Sequence, residues 1–197
     1  MSTTNELLYY IPAGQYGKEG VLALLEQHPE IKFVSLVGID LAGNDTDEKI
    51  PMSAFFDDYE SFFEGRAVQT DGSSVVLTNI ATLNNARVDM WGDPSVNWFV
   101  DYNYENIDPV TGLPTGTLRI PAFLMHNYRY VDSRSILKRS CDYVRAELLA
   151  LIKEHGLSGM PHVKADEVVD IIFTSATELE FWVKTPSRTV TKKELSV

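Results

Sequence analysis

Cysteine is almost absent from this 197-residue sequence, in which Cys141 is the only one. A single cysteine excludes an internal disulfide framework. No apolar run approaches the roughly 18 residues that a membrane-crossing helix needs. Residues 1–6 are short and polar and lack the basic and apolar regions of a secretory signal. These absences predict a cytoplasmic protein with no membrane partner.

Basic residues are also scarce, with 17 Lys and Arg against 28 Asp and Glu, and the formal net charge is −11. Such a charge repels the phosphate backbone, so we expect no nucleic-acid partner. The acidic residues are interspersed with basic ones, which argues against a disordered acidic tail. Hydrophobic residues make up 44% of the sequence, which is enough for a packed core.

The front part of the chain combines short strands with two short helices. Apolar residues at helical spacing predict helices at 18–28 and 53–64, the second with Ser53 as N-cap and Gly65 as its stop. β-branched and aromatic segments predict a small mixed sheet. Its extended segments are 31–40, 48–51, the pieces on either side of a turn at 70–74, 80–90, 96–102 and 118–130, with a Pro- and Gly-rich loop at 106–116.

A single helix and a single strand follow from residue 131. The helix is predicted at 132–155, capped by Asp132 or Ser133. Its apolar stripe consists of Leu137, Cys141, Val144, Leu148, Leu151 and Ile152. On this stripe Cys141 is expected to be a small core residue rather than a nucleophile. Residues 170–184 are predicted as one strand. Because one helix and one strand cannot close a core, we expect an unfinished second domain.

Glu178 and Glu180 are the candidate metal ligands on that strand. Residues two apart project from the same face, roughly 7 Å from each other. Two carboxylates this close raise each other's pKa unless a cation lies between them, and a hard divalent ion prefers oxygen ligands. The alternative is a solvent-facing row of a half-exposed strand, and this pair taken alone favours that alternative.

Four short motifs resemble the glutamine synthetase family and occur in that family's order. They are IKFVSLVGID at 31–40 followed by a Gly turn and KIP at 49–51, then TDGSS at 70–74, YVDSRSILKR at 130–139 and ELEFW at 178–182. Each motif is weak alone, whereas four in the same order at compatible spacing are far more specific.

The resemblance implies an α+β fold. A β-grasp domain would occupy 1–130, and 131–197 would be the first helix and strand of an incomplete catalytic α/β domain. It also implies an ATP-dependent glutamate–ammonia ligase that uses glutamate, ammonium and ATP with Mg²⁺ or Mn²⁺. The family forms homo-oligomeric rings with active sites between subunits.

The resemblance further implies roles for four residues. Glu178 and Glu180 match ligands of the divalent ions, Asp71 matches the residue that helps bind and deprotonate ammonium, and Ser74 matches the serine beside it. The family's later metal ligands, nucleotide-binding segment and glutamate-binding Arg would fall beyond Val197. We therefore expect the chain alone to be inactive.

Other interpretations remain open at this point. Asp71 could be an ordinary turn residue, because Asp-Gly-Ser is common turn chemistry. The chain could be a non-enzymatic β-grasp module that associates with a full-length glutamine synthetase. An unrelated carboxylate-metal hydrolase is less well supported, since no other ligand cluster accompanies the two glutamates.

Overall fold

The computed structural model describes residues 6–72, 75, 87–159, 162–178 and 180–181. The described strands are β1 (Tyr10–Ile11), β2 (Ile31–Ile39), β3 (Asp45–Pro51), β4 (Val68–Asp71), β5 (Arg87–Gly92), β6 (Trp98–Ile107), β7 (Pro114–His126) and β8 (Arg129–Tyr130). The described α-helices are α1 (Lys18–Glu26), α2 (Met52–Asp57) and α3 (Ser133–His155), and short 3₁₀ turns occupy Tyr59–Phe62 and Ala165–Glu167. The predicted α+β class is confirmed.

The strands form one mixed sheet centred on β7. Along the main path the order is β1-β6-β7-β2-β3, and β5 and β8 also pair with β7, while β4 pairs with β5. The β2–β7 pair is parallel, and every other pair is antiparallel. Asn127 and Tyr128 have positive φ angles of 47° and 61° and form the tight β7–β8 turn.

The core lies on one face of the sheet. β7 contributes Leu118, Ile120, Ala122 and Leu124, and β2 contributes Val34 and Leu36, all of them fully buried. Helices α1 and α2 complete the core with Val21, Leu25 and Phe55. From Val34 to Ile39 in β2 and from Leu118 to Leu124 in β7, successive side chains alternate, which leaves the intervening residues on the opposite face of the sheet.

The hairpin formed by β6 and β7 corrects the predicted loop at 106–116. β6 runs on to Ile107 and β7 begins at Pro114, so only 108–113 form the turn. In that turn Gly112 has φ of +70°, and the Asp108 carboxylate accepts hydrogen bonds from the Thr111 amide and hydroxyl. Proline is tolerated as the first residue of a strand, which explains why Pro114 does not interrupt β7.

The predicted helix at 53–64 is two shorter elements. α2 ends at Asp57, and Asp58 leaves the helical region with φ of −140° and ψ of 64° before the 3₁₀ turn begins. The N-cap position belongs to Pro51 rather than Ser53. Gly65 follows with φ of +68°, where a Cβ atom would overlap the Trp91 indole. Gly65 is therefore a turn residue, and the predicted helix stop there is wrong, because α2 ends at Asp57 and the 3₁₀ turn ends at Phe62.

Asp132 fixes the start of α3 to the sheet. Its carboxylate, fully buried, accepts hydrogen bonds from the Ser135 amide at 2.7 Å, the Ser135 hydroxyl and the Leu124 amide of β7 at 3.1 Å. The helix ends before Gly156, whose φ is +77°. Both predicted ends of this helix are confirmed, with Asp132 as the cap.

By its internal contacts the chain divides into two compact units, 1–143 and 144–197, and the boundary falls inside α3. The domain limits expected from the sequence, 1–130 and 131–197, stay a prediction. In the second unit the Arg145 guanidinium makes a two-pronged ion pair with the Asp170 carboxylate. None of the described helices is long and apolar enough to cross a lipid bilayer.

Two predictions after residue 131 are wrong for the described residues. The strand predicted from Asp170 is not formed at 170–178 or 180–181, because no described strand pairs with it. The apolar stripe of α3 is not buried either. Leu137 is 65% exposed and Leu151 is 52% exposed, while Cys141 is half-buried. Periodicity predicts which residues share a face, but it does not supply an element to cover that face.

Replacing Asp132 with Ala should lower the free energy of unfolding by about 2–4 kcal/mol. The change removes a helix cap worth about 1 kcal/mol and leaves the buried Leu124 amide without an acceptor, at a further 1–3 kcal/mol. Urea unfolding at pH 7 measures the loss. The matched control is Asp142→Ala on the same helix, where an exposed pair with Lys138 is lost at well under 1 kcal/mol. Equal losses in the two variants would contradict the role of Asp132.

Candidate functional site

Asp71 is the last residue of β4 and lies exposed at the edge of the sheet. Its cross-strand neighbour is Arg87 of β5, whose guanidinium pairs with Asp89. Gly72, next in the chain, is buried and lies outside β4. Ser74 lies outside the described residues. The exposed position makes the Asp71 side chain accessible to a ligand, but its role stays a prediction.

Glu178 and Glu180 are both exposed, and neither lies in a helix or strand. Leu179 between them lies outside the described residues. Across the parts of the chain that the structure describes, no group of three or more His, Cys, Asp or Glu side chains could hold a metal ion. Two carboxylates supply the hard oxygen ligands that Mg²⁺ and Mn²⁺ prefer, but only part of the ligand set.

A cleft that the sequence analysis did not predict lies on the sheet face opposite the core. Its volume is about 570 Å³, which is within the range of small-ligand and peptide sites. The apolar lining includes Val37 and Ile39 of β2, Pro121 of β7 and Phe99 of β6. Phe99 is 53% exposed, which is unusual for a phenyl ring in the middle of a sheet face.

Arg119 borders this cleft and joins three strands. Its guanidinium lies 2.8 Å from the Asp47 carboxylate of β3, 3.6 Å from Asp45 and 3.7 Å from Asp101 of β6. Ser35, fully buried beside Asp47, donates its hydroxyl hydrogen bond to that carboxylate. Three carboxylates around one guanidinium leave an excess of negative charge at this border.

Arg134, in the first turn of α3, lies at the opposite border of the cleft. It stacks over the Phe123 ring at 4.8 Å and pairs with the Asp93 carboxylate at 2.7 Å. Its Nη1 atom is buried with no hydrogen-bond partner in the described structure. A nearby acceptor would satisfy that nitrogen.

The pKa of Asp93 reflects two opposing effects. Burial alone would raise it, but hydrogen bonds from Ser95 and from Arg134 outweigh the burial and hold the pKa below its usual value. The carboxylate therefore stays charged, and it holds the turn between β5 and β6 against α3. This turn contributes Val96 and Asn97 to the lining of the cleft.

A second buried polar cluster lies away from the cleft. Glu30 is 2% exposed, and its carboxylate contacts His28 Nδ1 at 2.9 Å and accepts a hydrogen bond from the Tyr102 hydroxyl at 3.4 Å. The single hydroxyl hydrogen of Tyr102 is shared with the Leu8 carbonyl oxygen at 3.0 Å, and burial together with the Glu30 charge raises the pKa of Tyr102. The cluster fastens the segment before β1 to β6, which is a structural role.

The sequence does contain a signal for the cleft, but a weak one. Val37 and Ile39 alternate with the buried Val34, Leu36 and Gly38 positions, so the sequence pattern predicts a strand that is apolar on both faces. The pattern does not predict that β6 and β7 bring Phe99 and Pro121 beside Val37 and Ile39. That pairing joins residues distant in the chain.

No protein-family model matches the chain, and no curated protein matches it. Among solved structures, a cryo-EM structure of Plasmodium falciparum glutamine synthetase is similar over 68% of this chain at 15% sequence identity, with a TM-score of 0.45. The alignment covers 24% of that chain, so the present chain spans about a quarter of its length. A likeness this weak carries no argument about function. What the structure itself defines is an α+β chain built on a mixed sheet.

Asp93→Asn should destabilise the chain by about 1–3 kcal/mol at pH 7, because Arg134 and the Ser95 donors lose a charged acceptor. A depressed pKa in the folded state stabilises the fold above the unfolded value, about 3.9 for Asp, and this contribution is lost as the pH falls through the lower folded value. The variant should therefore lose less stability than the parent between pH 5 and pH 3.

Urea unfolding at several pH values tests this expectation. The control is Asp57→Asn at the exposed end of α2, which should leave both the stability and its pH dependence nearly unchanged. A parent and an Asp93→Asn variant with parallel pH profiles would show that Asp93 does not titrate as described.

Proposed function

We propose that this chain forms the front part of an ATP-dependent glutamate–ammonia ligase of the glutamine synthetase class. The observation that carries the proposal is the order and spacing of the four motifs. On this proposal, residues 1–130 are a β-grasp domain and residues from 131 onward begin the catalytic domain. The parallel β2–β7 pair, with helices packed on one face of a small mixed sheet, is compatible with the first part.

Two of the four motifs lie on elements that have clear roles in the fold, which supports the motif resemblance. The first corresponds to the β2–β3 hairpin, paired without interruption from Phe33–Pro51 to Ile39–Asp45. The third contains Asp132, which caps α3 and binds β7, and Arg134, which pairs with Asp93. The residues of these two motifs therefore have structural roles in the fold. We take these roles as support for the motif resemblance over a chance match.

The chemistry assigned to the sites follows from this proposal. Bound Mg²⁺ or Mn²⁺ would neutralise charge on the transferring phosphoryl oxygens of ATP. Glu178 and Glu180 would provide carboxylate ligands to the ions. Asp71, exposed at the end of β4, would accept a proton from ammonium, which requires hydrogen-bond reach to the bound cation. Ser74 would lie beside it, in a ring whose active sites form between subunits.

The state of residues 170–181 fits the same proposal. Their alternating pattern predicts a strand, yet no described strand pairs with them. A strand of a larger sheet needs neighbours on its edges, and on this proposal the remainder of a catalytic domain supplies them. The alternative function is a non-enzymatic module that joins the ring of a full-length glutamine synthetase. The exposed α3 stripe is an apolar surface that such an association would cover.

The chain alone should bind Mn²⁺ weakly, with a dissociation constant on the order of 10⁻⁴–10⁻³ M, because two carboxylates cannot complete a six-ligand site. Isothermal titration with MnCl₂ measures the affinity. Glu178→Gln combined with Glu180→Gln should abolish that binding, while Glu147→Gln with Glu154→Gln, an exposed pair on α3, should not change it. A dissociation constant in the micromolar range or below, or an affinity that is unchanged in the Glu178→Gln, Glu180→Gln variant, would contradict the assignment of these two residues as metal ligands.

The isolated chain should show no γ-glutamyl transferase activity above a buffer blank. The reading frame after the Val197 codon separates the two candidate functions. Continuation into further Glu, His and Arg motifs of the family supports the ligase, and the protein encoded by the continued frame should lose activity on Glu178→Gln.

A stop codon directly after Val197 would support the interaction module. In that case, native mass spectrometry of the chain mixed with a full-length glutamine synthetase should reveal mixed rings. Both functions are contradicted if the protein encoded by the continued frame is inactive and no mixed rings form.

A further inference from the structure

The cleft on the open face of the sheet has three properties that together define a ligand. Its floor is apolar, formed by Val37, Ile39, Phe99 and Pro121. One border carries excess negative charge around Arg119. The other border carries the Arg134 side chain, which is 32% exposed although its Nη1 atom is buried. An occupant that suits all three features presents an apolar group, a positive charge and a hydrogen-bond acceptor.

The register places the negative charge directly at the cleft. Asp47 is the cross-strand neighbour of Val37, and Asp45 is the cross-strand neighbour of Ile39. Asp101 projects from the same face of β6 as Phe99, two residues further on. The charged side chains facing this border are thus three aspartates, Arg119 and Lys49, which leaves one negative charge in excess.

Lys49 projects from the same face of β3 and lies opposite Ser35, in the cross-strand row that also contains Arg119 and Phe99. Asp45 and Asp101 are 56% and 67% exposed, so both are accessible to an incoming cation. At the other border the charges of Arg134 and Asp93 cancel. The net negative field at the cleft therefore repels a carboxylate ligand and attracts a cation.

We propose that this cleft binds an apolar peptide segment of a partner protein that carries Arg or Lys side chains on both sides of its apolar residues. An apolar side chain fills the floor, main-chain carbonyls accept from Arg134, and the cationic side chains pair with Asp45 and Asp101. The negative charge of the chain as a whole speeds the encounter with such a segment. This site contains none of the four residues that the ligase proposal gives a chemical role, although Val37, Ile39 and Arg134 lie within two of its motifs.

Three capped peptides test the proposal on the full chain by ¹⁵N–¹H correlation spectra. Ac-RLFR-NH2 should shift the amides of Val37, Ile39 and Phe99 and should bind about tenfold tighter than Ac-ELFE-NH2, which reverses the charges. Ac-RSSR-NH2 keeps the charges without the apolar groups and should not saturate at the same concentrations. Raising the salt to 0.5 M should weaken the first peptide, since exposed ion pairs are screened.

Matched variants locate the binding. Asp45→Asn with Asp101→Asn should weaken Ac-RLFR-NH2 about two- to fivefold per aspartate, while Asp57→Asn on the opposite side of the sheet should not. Phe99→Ser should abolish saturation, and its matched control is Val110→Ser, another exposed apolar residue, 87% exposed in the β6–β7 turn. Because Phe99 is exposed, its replacement should leave the fold intact, which the urea midpoint verifies.

Several outcomes would overturn the proposal. They are equal or tighter binding of Ac-ELFE-NH2, binding of Ac-RLFR-NH2 that is unchanged in the aspartate or Phe99 variants, and absence of spectral change with all three peptides. Shifts confined to residues 144–181 would also overturn it, since they would place the peptide on the second unit.

Discussion

The pairing of β7 with its neighbours is the constraint on which the rest of the structure depends. This strand of 13 residues lies between β6 and β2 in its first half and pairs with β5 and β8 in its second half. Four of its side chains are fully buried in the core. Losing the β7 register would separate β2, β5, β6 and β8 from one another, and it would also release the start of α3, which is fixed to β7 through the Leu124 amide and Asp132.

The cleft follows from the same arrangement. β7 exchanges β6 for β5 as its neighbour at Pro121, a residue that has no amide hydrogen to offer a ladder. The turn between β5 and β6 crosses this point, and its Asp93 amide donates to the Pro121 carbonyl at 2.8 Å. β5 and β6 diverge at this point and do not form a continuous edge beside β7. The apolar floor of the cleft therefore lies open where β7 changes from one neighbour to the other.

Local patterns predicted much of the fold, and their failures share a cause. Helix α3 with its Asp132 cap and the β2–β3 hairpin depend on residues close in sequence, so period and turn chemistry were sufficient. The parallel β2–β7 pair joins segments about 80 residues apart, and nothing local indicates it. Local patterns also cannot indicate which distant element packs on a helix face or pairs with a strand. This explains why the α3 stripe is exposed and why residues 170–178 are unpaired, although the apolar spacing of both segments was identified correctly. The Asp71 and Glu178–Glu180 assignments come from resemblance, since two carboxylates alone do not define a site.

The acidity of the chain acts through particular contacts rather than through its total. Several aspartates are held by arginines, for example in the pairs Asp93–Arg134, Asp47–Arg119, Asp89–Arg87 and Asp170–Arg145. Charges separated by more than about 8 Å are largely screened at physiological salt, so a net charge of −11 cannot by itself select a ligand. Selection requires carboxylates that are close together and not fully compensated. The Arg119 border meets this condition beside an apolar floor. The pairing of Glu178 and Glu180 around a divalent ion stays a prediction, because neither residue lies in a described strand that would fix the distance between them.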